Sequence, residues 1–161
     1  MPVRRLLPAQ AHRLLPLLHQ VHDLHLAHQP ARYAKLPGDR QMAAHMQTWL
    51  SMPDVYALGY LQAGDLLGYV VYEIEHRPAT PFRTAEARAM VHQICVDAAH
   101  RRKGIGLALM NATRSRARAA GVQVLATTFA TFNTASAQLM SRAGLQPVMY
   151  FAEWRADDYL K

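Results

Sequence analysis

The residues Arg101-Arg102-Lys103-Gly104-Ile105-Gly106 carry the sharpest chemical signal in the chain. They follow a strand-like run that ends at Val96 and open a segment of helical periodicity, so three cations stand where a strand gives way to a helix. A helix start exposes backbone N–H groups and the positive end of the macrodipole, and glycines let a ligand come close to the main chain. The combination reads as an anion site. Its alternative is an ordinary basic turn before a glycine-rich helix start. Two other phosphate motifs fail on spacing. A Walker loop needs Gly-Lys followed by Ser or Thr, but Lys103 precedes Gly104; a dinucleotide fingerprint needs a small residue where Leu109 stands. What remains is Arg-x-x-Gly-x-Gly.

Other side chains invite a chemical reading and mostly resist it. His19, His22, His25 and His28 recur every third residue. On a helix that spacing drifts by about 60° per step, so neighbours are close but the four cannot face one metal. A solvated or pocket-lining stripe is the reading, and no metal is expected. Cys95 lies within an apolar run and reads as a core thiol rather than a nucleophile. Trp49 and Trp154 read as core or pocket-wall residues.

The elements that must position these residues fit one domain spanning 1–161. The chain has 161 residues, of which 51% are hydrophobic and 18% charged, enough for a packed core and too apolar for disorder. Eighteen Lys+Arg against 11 Asp+Glu give a net charge of +7, which calls for an acidic partner: nucleic acid, a membrane surface or a phosphate-rich cofactor. The single cysteine excludes an internal disulfide framework and a cysteine-based zinc site. Polar residues interrupt every apolar stretch, so neither a secretory segment nor a membrane span is expected, and the default is a soluble cytoplasmic protein.

Periodicity predicts a strand over 3–7 and a helix over 9–28 that Pro16 kinks or divides. A loop over 29–38 leads to a helix from Asp39 to about Met52. Strands over 55–61 and 66–75 form a hairpin, and a long loop over 76–86 precedes a strand over 90–96. A helix over 104–120, a strand over 122–129, a helix over 133–143 and a last strand over 145–154 complete the order. This is an α/β (α+β) arrangement, a mixed sheet with helices on both faces.

The run from Ile94-Cys95-Val96 through Arg101-Arg102-Lys103-Gly104-Ile105-Gly106 to Leu109 resembles the acetyl-CoA-binding segment of the GNAT superfamily of N-acetyltransferases. Asn133 to Leu145 is similar to that family's second signature, an Asn that opens a helix ending in Gly-Phe; here Gly144 and Leu145 fill the last places. Gly68 matches the usual glycine of the third strand, and the similarity covers roughly 55–154. The resemblance implies a mostly antiparallel sheet in which two parallel strands, 90–96 and 122–129, splay apart to admit the pantetheine arm of acetyl-CoA. By resemblance, backbone groups of Ile94, Cys95 and Val96 bind that arm and the acetyl carbonyl, one amide acting as oxyanion donor. The amides of Arg102 to Leu107, with the cations Arg101, Arg102 and Lys103 beside them, hold the pyrophosphate. Asn133 contacts the pantetheine, caps its helix, or does both.

The chain departs from the family at its acid and base. The Tyr that commonly protonates the departing thiolate is replaced by Met140, and a glutamate used by some members as base is replaced by Thr128. Candidate catalytic replacements are Glu73 and Glu75, placed on one strand face by period-2 alternation, His92 on the next strand, and Tyr150 on the last. His25, His28 and Tyr33 fall where the family usually builds its acceptor pocket and are candidate substrate contacts. The leading expectation is direct transfer of acetyl to a primary amine of a small molecule or peptide, against a non-catalytic acyl-CoA-binding module of the same fold. A specific nucleic-acid partner is not expected, since the charge forms no aromatic-basic platform. A homodimer that completes the sheet edge is allowed, though no motif calls for one.

Overall fold

A computed structural model describes residues 2–156. A 3-10 segment, Pro8–Leu14, follows the edge strand β1 (Val3–Leu6) and runs directly into α1 (Leu15–His28). Pro16 therefore divides the expected helix. It lies in the first turn of α1, where its missing N–H leaves no intrahelical bond unmade. α2 (Asp39–Leu50) comes next, then β2 (Val55–Gln62), β3 (Asp65–Arg77) and β4 (Glu86–Val96). α3 (Ile105–Ala119), β5 (Val124–Thr127) and α4 (Thr134–Arg142) complete the order.

The five strands form one sheet in the order β1-β2-β3-β4-β5. Every neighbouring pair is antiparallel except β4 with β5, which is parallel. Two apolar clusters cover its faces. Tyr69, Val71 and Cys95 pack under the 3-10 segment, α1 and α2 through Leu14, Leu17, Leu18 and Met46. Val70, Tyr72, Ala89 and Val91 pack under α3 and α4 through Ile105, Leu109, Met110 and Met140. The alternation of Tyr69/Val71 against Val70/Tyr72 is the period-2 pattern of a strand buried on both sides. Among the described residues no helix is long and apolar enough to cross a membrane.

Three expectations need correction. The loop over 76–86 is shorter than its sequence implied, because β3 continues through Arg77 and β4 begins at Glu86; the connecting tip is closed by a bridge between Thr80 and Arg83. The strand over 122–129 is only Val124–Thr127. The last strand over 145–154 does not form: through Trp154 the chain has no regular secondary structure. Val148, Met149, Tyr150 and Phe151 carry the β-forming side chains that suggested a strand, but they lie 81–95% exposed with no strand paired to them among the described residues. Tyr150 thus stands on no strand.

Candidate active site

β4 and β5 stay in register from Arg88↔Val124 to Val91↔Thr127, and there the pairing stops. β4 runs on to Val96 paired, among the described residues, only with β3, so residues 92–96 have an open side. The Asp97 N–H donates to the Leu67 carbonyl, and Cys95 sits opposite Tyr69. Antiparallel alternation therefore turns the main-chain groups of Cys95 toward β3 and those of Ile94 and Val96 toward the open side. Of the three expected backbone contacts, two are available to a ligand there. The Val96 carbonyl already accepts from Arg101 Nε at 3.2 Å.

The divergence opens a cleft of about 180 Å³. Ile94, His92 and Gln93 of β4 line it opposite Thr128 and Phe129, with Asn133 before α4 and Met140 within it at one side. His22 and His25 of α1, and Tyr33 after it, close the other side. His28 is outside the lining; it stacks on Phe132, ring centroids 4.2 Å apart. His25 Nδ1–H donates to the Val21 carbonyl at 2.7 Å, and because that oxygen can only accept, the neutral ring keeps its lone pair on Nε2. His19, His22 and His28 are tied to Asp39, the Ala34 carbonyl and the Leu24 carbonyl, so the stripe is four separate anchors rather than one ligand set.

His92 owes its direction to a β-bulge. Val71 pairs with Gln93 and the next residue, Tyr72, with Val91, which leaves His92 as the extra residue of β4. The bulge puts His92 on the sheet face that carries Glu73 and Glu75. His92 Nε2–H donates to Glu73 at 3.0 Å and its ring meets Trp49 edge-on at 5.8 Å. Ligand-type atoms of Glu73, Glu75 and His92 lie within 4.8 Å of one another. Arg88 Nε donates to Glu75 at 2.7 Å, so a guanidinium already balances one of the two carboxylates. Glu73 remains the partner of the histidine. Tyr150, 89% exposed, is absent from this group and from the cleft lining.

Cys95 is 5% exposed, its thiol donates to the Leu17 carbonyl at 3.2 Å, and burial pushes its pKa up to about 11. It is a core thiol. Asn133 caps α4, its Oδ1 accepting from Ser136 N–H at 3.0 Å, and still borders the cleft. Met140 is buried against the core while touching the cleft floor, which leaves no proton donor there.

The basic loop is shaped as an anion cradle. Arg102 and Gly104 have φ of 66° and 80°, alternating with ordinary conformations so that successive N–H groups point to one side. The first intrahelical bond of α3 runs from Ala108 N–H to the Gly104 carbonyl, so the amides of Ile105, Gly106 and Leu107 have no partner within the helix. Among the described residues, Arg101, Arg102 and Lys103 reach only neutral oxygens, those of Val96, Gln138 and Ala99. Gly68 lets β3 pass beneath this turn: a Cβ there would stand 3.0 Å from the Cys95 carbonyl and 3.1 Å from Ile105. Uncompensated cations, free amides and an open strand edge running away from them fit a ligand with phosphates at one end and an amide-bearing arm at the other.

One device went unread in the sequence. Gln20 of α1 donates to Asp97 Oδ1 at 3.1 Å and accepts from Ala98 N–H at 2.9 Å, and His100 Nδ1–H donates to Asp97 Oδ2 at 2.7 Å. Hydrogen bonds from His100 and then Gln20 hold the Asp97 carboxyl below the usual carboxylate range. This brace ties α1 to the turn that delivers the basic loop. Only the type of residue at Asp97 and His100 hinted at it.

The solved structures that resemble the chain have the same arrangement of sheet and helices. The BH1408 protein from Bacillus halodurans superposes with a TM-score of 0.87 at 18% identity, covering 96% of this chain and 99% of that one. A ribosomal-protein-alanine N-acetyltransferase from Brucella melitensis gives 0.73 at 21% identity, covering 95% and 96%. The aminoglycoside N-acetyltransferase AAC(6')-Iy, bound to a CoA bisubstrate analogue, gives 0.74 at 16% identity, covering 95% of each. No curated protein sequence matches significantly. The profile of the Acetyltransferase (GNAT) family matches residues 18–145, which include the cleft, the basic loop and both signature segments, and the chain belongs to that family.

Proposed function

We propose that the chain is a one-domain cytoplasmic enzyme that transfers the acetyl group of acetyl-CoA directly to the primary amine of a small molecule or peptide. The observation that carries this reading is the continuity of the anion cradle at α3 with the cleft where β4 leaves β5. Acetyl-CoA supplies an acetyl thioester, whose thiolate is a fair leaving group. Residues Arg101 to Leu107 would hold its phosphates, and the outward groups of Ile94 and Val96 its arm. An outward amide of β4 would meet the negative charge that develops on the carbonyl oxygen.

His92 is the base this geometry favours. Its Nε2–H is fixed on Glu73, so the neutral ring keeps Nδ1 free to take a proton from the acceptor ammonium, directly or through water. Glu73 orients the ring and stabilises the imidazolium that forms. Glu75, held by Arg88, shapes the carboxylate pair without taking the proton. The acceptor side favours an amine of low charge. Among the described residues lining the cleft there is no Asp or Glu, while His22, His25, Tyr33 and Phe129 offer rings and weak polar groups. A polyamine or aminoglycoside would bring several cations to a wall without carboxylates.

A second reading, a non-catalytic acyl-CoA-binding module, draws on Met140 in the place of the usual acid. Free-CoA release over a panel of monoamines, peptides, polyamines and aminoglycosides separates the two. The enzyme releases CoA with at least one amine and loses most of that rate in His92→Ala; the module binds acetyl-CoA and never turns it over. A melting temperature unmoved by acetyl-CoA would sink both.

A further inference from the structure

The sheet face under α3 carries a second hollow, of about 340 Å³, at the far end of that helix from the anion cradle. None of its lining residues lines the cleft. Gly104 and Arg116 stand roughly 18 Å apart along the helix axis. The walls follow from strand register. Arg5 of β1 lies opposite Leu58 of β2, and Tyr56 opposite Tyr72 of β3, and such cross-strand partners share a face. Ile74, two residues beyond Tyr72, joins them by alternation. Arg116, Ala119 and the cap residue Ala120 of α3 form the roof, and the two short side chains leave the space open.

The chemistry of this hollow is one-sided. Two guanidiniums line it and, among the described residues, no carboxylate does. Neither Arg5 nor Arg116 has an ion pair or hydrogen bond among the described residues; Arg5 lies instead over the Tyr56 ring, 5.0 Å from its centroid. Tyr56 stacks in turn on Tyr72, ring centroids 5.4 Å apart. Tyr72 is only 3% exposed, yet its hydroxyl has no hydrogen-bond partner among the described residues. Buried polar groups ordinarily have one. Burial raises the Tyr72 pKa while the charges of Arg116 and Arg5 oppose the rise, so both guanidiniums act on this phenol. Two cations and a protonated hydroxyl thus meet with no acceptor between them.

We propose that this hollow binds a small aromatic carboxylate, at a site separate from the cleft and the anion cradle. The carboxylate supplies the acceptors that Arg5, Arg116 and the Tyr72 hydroxyl lack, and its planar pair of oxygens matches the guanidinium fork. The ring covers the apolar floor of Leu58 and Ile74, which a bare phosphate would leave wet. A volume of about 340 Å³ is at the small end for ligand pockets, which suits one ring rather than a nucleotide. The occupant would sit one residue along β3 from Glu73, the carboxylate that holds His92, on the opposite face of the sheet.

Titration of benzoate into the full-length protein, followed by amide chemical shifts, tests this. Saturable shifts should appear at Arg5, Tyr56, Tyr72 and residues 116–120. Benzamide, which lacks the charge, and acetate, which lacks the ring, should each bind about tenfold more weakly or worse. Arg116→Gln should weaken benzoate about tenfold. Ala119→Leu, which fills the hollow with another good helix former, should abolish binding. Both positions are exposed on α3, so both variants should keep the wild-type circular dichroism and melting temperature. Saturating acetyl-CoA should leave the benzoate affinity unchanged. Absence of saturable shifts at these residues, equal binding of benzamide, or displacement of benzoate by acetyl-CoA overturns the proposal. So does undiminished binding in either variant. The titration needs no turnover, so its outcome is independent of the acetyl-transfer reading.

Discussion

His92 and Cys95 sit three residues apart on β4, and their surroundings assign them opposite behaviour. His92 is turned out by a bulge, backed by Glu73 and placed on the cleft wall. General acid–base catalysis is worth about 10²–10⁴-fold, so His92→Ala should lower kcat by about 10²-fold or more. Glu73→Gln should cost less, about tenfold, because the ring loses its orienting carboxylate and keeps its lone pair. A His92→Ala enzyme with undiminished kcat would remove the histidine from the mechanism. Cys95 faces Leu17 under α1, and at a pKa of about 11 it is almost wholly thiol at pH 8. Native protein should resist iodoacetamide at that pH and react once denatured; fast native alkylation would contradict the buried assignment. Both positions could be nominated from residue type and spacing. The bulge could not, because a strand with one extra residue has no distinctive composition. It is visible only in the pairing of β4 with β3.

Scaling up to elements, the start of α3 shows what sequence can and cannot supply. Strand end, cations and glycines were all readable, since each acts locally through backbone freedom and charge. Gly104 has φ of 80° with open space where a Cβ would stand, so Gly104→Ala suffers from conformation alone. The left-handed backbone costs an alanine about 1–2 kcal/mol, a fall in Tm of roughly 2–8 °C for a domain of this size. The KM for acetyl-CoA should rise several-fold with it; an unchanged KM and Tm would show that the turn does not need this backbone. The Gln20–Asp97–His100 brace adds a pH dependence. Asp97 ionises below its ordinary value in the folded protein, so its contribution to stability is complete above the unfolded carboxylate range and is lost as pH falls through the depressed value. The Tm gap between wild type and Asp97→Asn should thus be widest near neutrality and close below about pH 4. A gap that grew in acid would reverse the sign. The segment over 145–154 marks the limit of local reading. Its β-forming residues are real, but a strand exists only with a partner, and whether an edge is within reach is a property of the fold rather than of the segment.

At the scale of the whole molecule, the net charge of +7 is placed rather than merely counted. Three of its cations stand together before α3 with only neutral oxygens as partners among the described residues, while Arg88 and Arg32 pair with Glu75 and Glu153. The element order and the helix layers were legible because apolar periodicity reports burial; the order of the strands in the sheet was not, and the splayed pair came only with the family resemblance, because the cleft follows from where β5 stops pairing with β4. A cluster of exposed, uncompensated cations attracts a polyanion through a field that salt screens, with a Debye length of about 10 Å at 0.1 M and about 3 Å at 1 M. Affinity for CoA should therefore fall about tenfold between 0.05 M and 0.5 M NaCl. The slope should flatten in Arg102→Ala/Lys103→Ala, while Arg88→Ala, whose guanidinium serves Glu75 on the other face of the sheet, should leave the slope as it was. Calorimetric titration of CoA at several salt concentrations measures all three. Equal slopes in the three proteins would mean that the general charge of the molecule, and not the cradle at α3, draws the phosphates in.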